Sequence, residues 1–214
     1  MAVTEELFDI YDDNMNFLGV KPRSQVHRDG DWHRSFHCWV IYRDVSGEDY
    51  MLVQRRAPDK DTYPDYFDLS VGGHLSAGET LEQAVREIDE ELGLHVEFSD
   101  LIPVGLRVAA SKPSAETTDR EFNHIFFLVH EQPLEQYAPN DEVSGIAVIR
   151  IRDALALCAG EIETISARYA RFDPYREETL TLGMADFVPV RDHYWYRALI
   201  AAQRCLNGEK YLIV

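Results

Sequence analysis

At 214 residues, with 45% apolar and 11% aromatic side chains, the chain is long enough to bury a sizeable core and too apolar to be disordered. A formal net charge of −17 with no long basic run argues against a protein that grips a nucleic-acid backbone. No apolar run approaches the roughly 18 residues of a membrane span, and Cys38, Cys158 and Cys205 fit neither a disulfide framework nor a zinc spacing.

The opening MAVTEELFDIYDD lacks the basic and apolar regions of a signal peptide, so with three unpaired thiols a cytoplasmic setting is expected. LFDIYDDNMNFLG reads as two short strands around an Asp-Asp-Asn turn, and FHCWVIYR and YMLVQRR as strands joined by DVSGED. A glycine turn around His74 precedes a helix, and apolar β-like runs follow at Ile102–Val108, Phe122–Val129 and Ile146–Ile151. DALALCAG and EIETISARYARF read as helices broken at Gly160, and RDHYWYRALIAAQRCLNG as a closing helix ended by glycine. The fold class expected is α+β, a mixed sheet with helices packed on it, as one domain over 1–214. Its parts are N-terminal strands over 1–30, a catalytic core over about 30–160 and a C-terminal helical elaboration over 161–214.

The segment GGHLSAGETLEQAVREIDEELGL crowds Glu82, Glu87, Asp89, Glu90 and Glu91 together, although like charges on one helix repel by a few tenths of a kcal/mol, about 0.2–0.5 per pair. Thr80 and Gln83 form a capping-box pattern and Gly93 suits the C-terminal stop, which predicts a helix over 81–92. Leu81, Ala84, Val85, Ile88 and Leu92 then share a buried stripe. Glu87, Glu90 and Glu91 share the neighbouring arc, while Glu82 and Asp89 fall on the opposite flank. Carboxylates at i, i+3 and i+4 suit Mg²⁺ or Mn²⁺, and a backbone carbonyl of the turn at Gly72 can complete such a site. The bland reading is a solvated acidic face.

The same segment resembles the signature of the Nudix hydrolases, G-x5-E-x7-R-E-U-x-E-E-x-G-U, where U is a bulky aliphatic residue. Gly73, Glu79, Arg86, Glu87, Ile88, Glu90, Glu91, Gly93 and Leu94 supply its members. The resemblance implies an α/β/α sandwich with metal held by Glu87, Glu90 and Glu91, and with Arg86 orienting one of these glutamates. Six residues separate Glu79 from Arg86 instead of seven, which displaces Glu79 by about 1.5 Å along a helix unless the turn absorbs it.

Outside the signature, GVKPRSQVHRDGDWHRSFHCWV, LVQRRAPDKDTYPDYFDLSVGGHL and DREFNHIFF are similar to the isopentenyl-diphosphate-isomerase-like branch of that family, over much of 6–130. That resemblance implies a possible second metal site at His27, His33, His74, Asp119 and Glu121, the first two histidines standing one residue closer than in the bacterial isomerases. It also implies diphosphate contacts from Arg56 and Lys60, with His74 facing the site and Glu121 an added ligand from outside the helix. Strand alternation puts Arg55 and Arg56 on opposite faces. The isomerases carry a cysteine immediately before the Gly-His pair; here that position is Gly72, which can serve as neither acid nor base. His37, His124, His130 and His193 carry no usable pattern, and each single histidine has a bland reading as a surface or hydrogen-bonded side chain.

The function expected is therefore divalent-metal-dependent hydrolysis of a diphosphate linkage in a nucleoside diphosphate derivative or related small molecule. Glu90 is the first candidate general base and Glu142, in NDEVSG, the second. An isomerase and a non-catalytic nucleotide-binding protein are the competing readings. The partner expected is a small-molecule diphosphate, with neither nucleic acid nor membrane, and a homodimer is compatible with the family.

Overall fold

The computed structural model describes residues 5–112, 114 and 117–212. The strands and helices in chain order are β1 (Leu7–Tyr11), β2 (Phe17–Pro22), α1 (Arg23–Asp29), β3 (Trp32–Arg43), β4 (Asp49–Arg56), β5 (Phe67–Asp68), β6 (Val71–His74) and α2 (Arg86–Leu92). They continue as β7 (Ile102–Ser111), β8 (Asp119–Val129), β9 (Val143–Arg150), α3 (Ile151–Cys158), β10 (Ile165–Phe172), β11 (Tyr175–Leu182) and α4 (Tyr194–Leu206).

Alternation along the central strands produces two apolar faces. Trp39 and Ile41 of β3, Met51 and Val53 of β4, and Ala147 and Ile149 of β9 pack against Ala154 and Leu157 of α3 and Ala198, Leu199 and Ala202 of α4. Cys38 and Val40, Leu52, and Ile146 and Val148 on the same strands pack against Ile88 and Leu92 of α2. The result is an α/β/α sandwich, as expected. Each fully buried aliphatic side chain contributes roughly 1.5–3 kcal/mol. β3 is buried on both faces because it pairs in parallel with β8 over Trp32–Ile41 while β4 and β6 run antiparallel to it.

The segment EIETISARYARF is strand, not helix. Residues Ile165–Phe172 pair antiparallel with both β9 and β11. The physical cause is a period of two: Ile165, Ala167 and Tyr169 are buried while Ser166 and Arg168 are exposed, and this overrides the helix propensity of the Ala, Glu and Arg around them. Tyr169 lies across Gly145, where a Cβ would come within 2.5 Å of the tyrosine ring. The part after residue 160 thus extends the sheet by a hairpin before it closes with α4 as expected.

Helix 81–92 also differs in detail. Thr80 and Gln83 exchange the two capping-box bonds, but Gln83–Val85 form a 3₁₀ turn and the α-helix proper spans Arg86–Leu92. Three 3₁₀ residues rise about 6 Å against about 4.5 Å in an α-helix. That gain of about 1.5 Å equals the rise of the one residue missing before Arg86.

Candidate active site

Strand β6 pairs with β3, presenting Gly73 to the α2 side and Gly72 and His74 to the α4 side. A cleft of about 700 Å³ wraps around it, touching Glu87, Glu90, His74, Glu121, Lys60 and Arg107 among others.

On the α2 side, a Cβ at Gly73 would lie 2.1 Å from the carboxylate carbon of Glu87, so only glycine lets this glutamate lie on the strand. Glu91 is 4% exposed, and its Oε2 accepts from the Gly72 amide (2.9 Å) and Gln54 Nε2 (3.1 Å). Gly72 thus meets the helix through its N–H. Among the described residues Glu91 has no ion-pair partner. Burial pushes Glu87 up to about 7, against the pull of Arg86, and Glu91 up to about 8, against the Gly72 hydrogen bond. Glu91 is thus a buried carboxylate without an ion-pair partner among the described residues, next to Glu87, whose cationic partner is Arg86, and such a pair could hold a cation.

Arg86 bridges three glutamates where the sequence suggested one. Nε donates to Glu79 Oε1 at 2.7 Å, Nη2 to Glu79 Oε2 at 3.2 Å, and Nη1 lies 2.9 Å from Glu87 and 3.1 Å from Glu90. Glu79 also accepts the Ser76 amide at 2.7 Å, so the 3₁₀ turn returns it to Arg86 despite the short spacing. Glu90 is exposed.

The loop after the helix is sewn to its C-terminus. Ala138 N donates to Leu92 O (3.0 Å) and Asn140 N to Glu90 O (3.1 Å). Gly93 makes this possible: its φ is +68°, and a Cβ there would meet Ala138 backbone at 2.9 Å. The loop thereby brings Glu142 to the cleft, where it pairs with Lys60. Arg56 uses Nε and Nη2 on Thr62 and Nη1 on Asp68, which leaves two N–H groups for a ligand. Arg55 points away to Asp65, in line with the expected alternation.

On the α4 side, His27, His33, His74 and Asp119 offer ligand atoms within 4.8 Å of one another, over the buried ring of Phe8. Helix α1 ends at Gly30 in the left-handed region (φ +70°), and the tight return sets the rings of His27 and His33 5.1 Å apart, which accommodates their closer sequence spacing. Glu121 joins through Oε1, 3.2 Å from His74 Nε2 and 4.0 Å from His33 Nε2. His27 Nε2, His33 Nε2 and Asp119 Oδ1 are buried without a hydrogen-bond partner. Because His33 Nδ1 lies 3.1 Å from Asp31 O, that nitrogen carries the proton and Nε2 turns a lone pair inward.

Burial, with neighbouring imidazoles, holds His27 down to about 3 and His33 to about 4. Burial and Glu121 push Asp119 up to about 7. Glu121 resists its own burial through the His74 hydrogen bond and stays well below the usual carboxylate range. Neutral imidazoles and carboxylates with inward lone pairs are a donor set for a divalent metal.

The sequence reading missed the far wall of the cleft. His37 is buried there with Nδ1 3.0 Å from Tyr194 Oη, which also accepts from Trp39 Nε1 at 3.0 Å. Arg107 stacks 4.2 Å over the Tyr194 ring and clamps Asp192 at 2.7 and 3.0 Å. Tyr194 and Trp195 of DHYWYR are thus core residues that also back the cleft, while Tyr196 is exposed. Gly72 faces His37, whereas Cys38 lies opposite Val71 with its thiol buried on the other face of the sheet. No described thiol reaches the cleft.

A model of the NUDIX domain matches residues 31–170. The chain belongs to the Nudix family. A Nudix hydrolase of Clostridium acetobutylicum is 35% identical over 195 residues, covering 89% of this chain and 94% of the relative. Nudix hydrolase 3 of Arabidopsis thaliana is 36% identical over 154 residues, 69% of this chain but 19% of that longer protein. An isopentenyl-diphosphate Delta-isomerase of Clavibacter michiganensis is 33% identical over 132 residues, 61% of this chain and 66% of the relative. The fold is that of a MutT/nudix family protein from Enterococcus faecalis, with a TM-score of 0.50 at 14% identity over 83% of this chain and 64% of that one. The Nudix assignment makes the chain an enzyme of the pyrophosphohydrolase class, whose members use divalent metal ions. Among the described residues no helix is long and apolar enough to cross a membrane.

Proposed function

We propose that this Nudix enzyme hydrolyses a diphosphate linkage in a nucleoside diphosphate derivative or related small molecule, with Mg²⁺ or Mn²⁺ as its metal. The observation that carries the reading is Glu91, buried without a cationic partner beside Glu87 in its glycine cradle. Glu87, Glu90 and Glu91 would hold the ion, and bound there it would neutralise phosphate oxygens and lower the pKa of an attacking water. Arg86 keeps Glu87 and Glu90 in register by charge-assisted bonds. Lys60, released from Glu142, and the free N–H groups of Arg56 take the outer phosphate oxygens. Glu90, exposed at the helix surface, is the first candidate to receive the water proton, and Glu142 the second. His27, His33, His74, Asp119 and Glu121 form a second metal site, supported by the buried His27 Nε2, His33 Nε2 and Asp119 Oδ1 atoms that lack a hydrogen-bond partner and by the closeness of His74 to them. Three free cysteines fit a reducing, cytoplasmic setting.

The isomerase reading has the histidine cluster in its favour, but Gly72 offers no side chain beside His37 and Cys38 faces away. The test is incubation with ADP-ribose, nucleotide sugars, nucleoside di- and triphosphates and isopentenyl diphosphate, with Mg²⁺ and then Mn²⁺. Cleavage products are read by chromatography, and deuterium uptake from D2O into isopentenyl diphosphate by NMR. Metal-dependent cleavage without deuterium uptake is expected; uptake without cleavage would overturn the reading.

A further inference from the structure

Asn123 has no accessible surface and lies behind the cleft wall, two residues along β8 from Glu121 and opposite Ser35 of β3, both of which line the cleft. Its Nδ2 donates to Ser35 Oγ at 2.7 Å and to Glu121 Oε2 at 2.9 Å, and its Oδ1 accepts from Arg107 Nη1 at 2.9 Å. These partners permit one orientation of the amide. Turned over, it would set its oxygen against the carboxylate and its NH₂ against the guanidinium. Arg107 is fixed in turn by Asp192 and by the Tyr194 ring, so the amide is anchored on an element distant in sequence.

We infer that Asn123 is a positioning residue for the histidine cluster: it binds one oxygen of Glu121 and so directs the other at His74 and His33. A glutamate carboxylate rotates easily about its terminal torsion, and the His74 contact alone does not fix the plane of the group. The Asn123 bond fixes that plane, with Arg107 anchoring the amide through its oxygen. The inference rests on the reading that this cluster binds a divalent cation.

The test is Co²⁺ titration of the full metal-stripped chain, followed by visible absorption and calorimetry, with His33→Ala locating the signal that depends on histidine. Asn123→Ala is expected to weaken that binding by about 10–100-fold, the usual effect of losing a group that orients a ligand. Ser35→Ala removes the other acceptor of the same amide but leaves the Glu121 bond, and is expected to bind Co²⁺ as the wild type does. Wild-type affinity in Asn123→Ala overturns the inference, as does an equal loss in Ser35→Ala, which would mark a role in packing alone. If Asn123→Ala is not recovered folded, Arg107→Gln, which unanchors the amide, carries the test: weaker binding supports the inference and unchanged binding overturns it. A wild type without a histidine-dependent Co²⁺ signal would instead sink the metal reading itself, and the inference with it.

Discussion

Gly73 and Glu87 occupy the same space that a side chain at residue 73 would need, with 2.1 Å between the glutamate carboxylate carbon and an added Cβ. The clash is with the end of a side chain, so the cost of Gly73→Ala falls on where Glu87 points. The variant is expected to fold with a modest loss of stability, about 1–3 kcal/mol as for other overpacked sites, and to lose metal-dependent hydrolysis. A melting curve paired with an activity assay checks this. Full activity in Gly73→Ala would show that Glu87 does not need its place on the strand.

The titration of the site gives the metal-free protein a predictable pH profile. Glu87 and Glu91, raised to about 7 and about 8, keep protons in the folded state that the unfolded chain gives up near the ordinary value of about 4.3. Their contribution is therefore lost as pH rises through that window. His27 and His33, lowered to about 3 and about 4, act oppositely, and their contribution is lost as pH falls below about 6.5. Between about pH 4.3 and 6.5 the two pairs offset each other, so melting in EDTA should fall as pH rises from about 6.5 towards 8.5. The rise in Tm on adding millimolar Mg²⁺ should be larger at pH 8.5 than at pH 6, because the cation needs the ionised carboxylates. A Mg²⁺ shift independent of pH would contradict this.

Asp119 offers a different trade. Its Oδ1 is enclosed beside Glu121 without a hydrogen-bond partner, 3.5 Å from His33 Nε2 and 3.8 Å from His27 Nε2, so Asp119→Asn should raise the metal-free Tm at pH 8 by removing a desolvated charge and its repulsion from Glu121. The same change should reduce stabilisation by Co²⁺ or Mn²⁺. Thermal melts of the two proteins with and without metal decide it, and a lower metal-free Tm would count against a cluster built for a cation.

The helix carboxylates were legible because the relation among Glu87, Ile88, Glu90 and Glu91 is local, set by 3.6 residues per turn, and the family spacing runs through them. The turn that rescues Glu79 was not, since nothing in TLEQAV distinguishes a 3₁₀ from an α start. β10 was misread because Ala and Arg favour helices in isolation, while its fate depends on pairing with β9 and β11. Arg107 with Asp192, and His37 with Tyr194, are 85 and 157 residues apart, and no periodicity reports such contacts. The histidine cluster was reachable through family resemblance alone, because its members come from α1, β3, β6 and β8.

Lys60 and Glu142 hold each other across the cleft mouth, and both are proposed to meet substrate or water. Lys60→Met should raise KM about tenfold or more with little change in Tm, since a half-exposed ion pair contributes about 0–1 kcal/mol. Glu142→Gln should lower kcat if it takes the proton, leaving KM near wild type. Steady-state kinetics on the best substrate separate the two, and a kcat unchanged in Glu142→Gln leaves Glu90 as the base.

The most direct test of the account is Glu91→Gln, which keeps the shape and the hydrogen-bonding oxygen of a side chain already buried beneath Gly72 while removing its charge. Hydrolysis of the best diphosphate substrate would be measured across a Mg²⁺ titration, alongside Tm with and without the ion. The account predicts a variant at least as stable as the wild type without metal, no longer stabilised by Mg²⁺, and slower by about a hundredfold or more, the scale of losing a main electrostatic group. Wild-type rates with wild-type Mg²⁺ dependence would mean that the buried carboxylate is not where the cation binds.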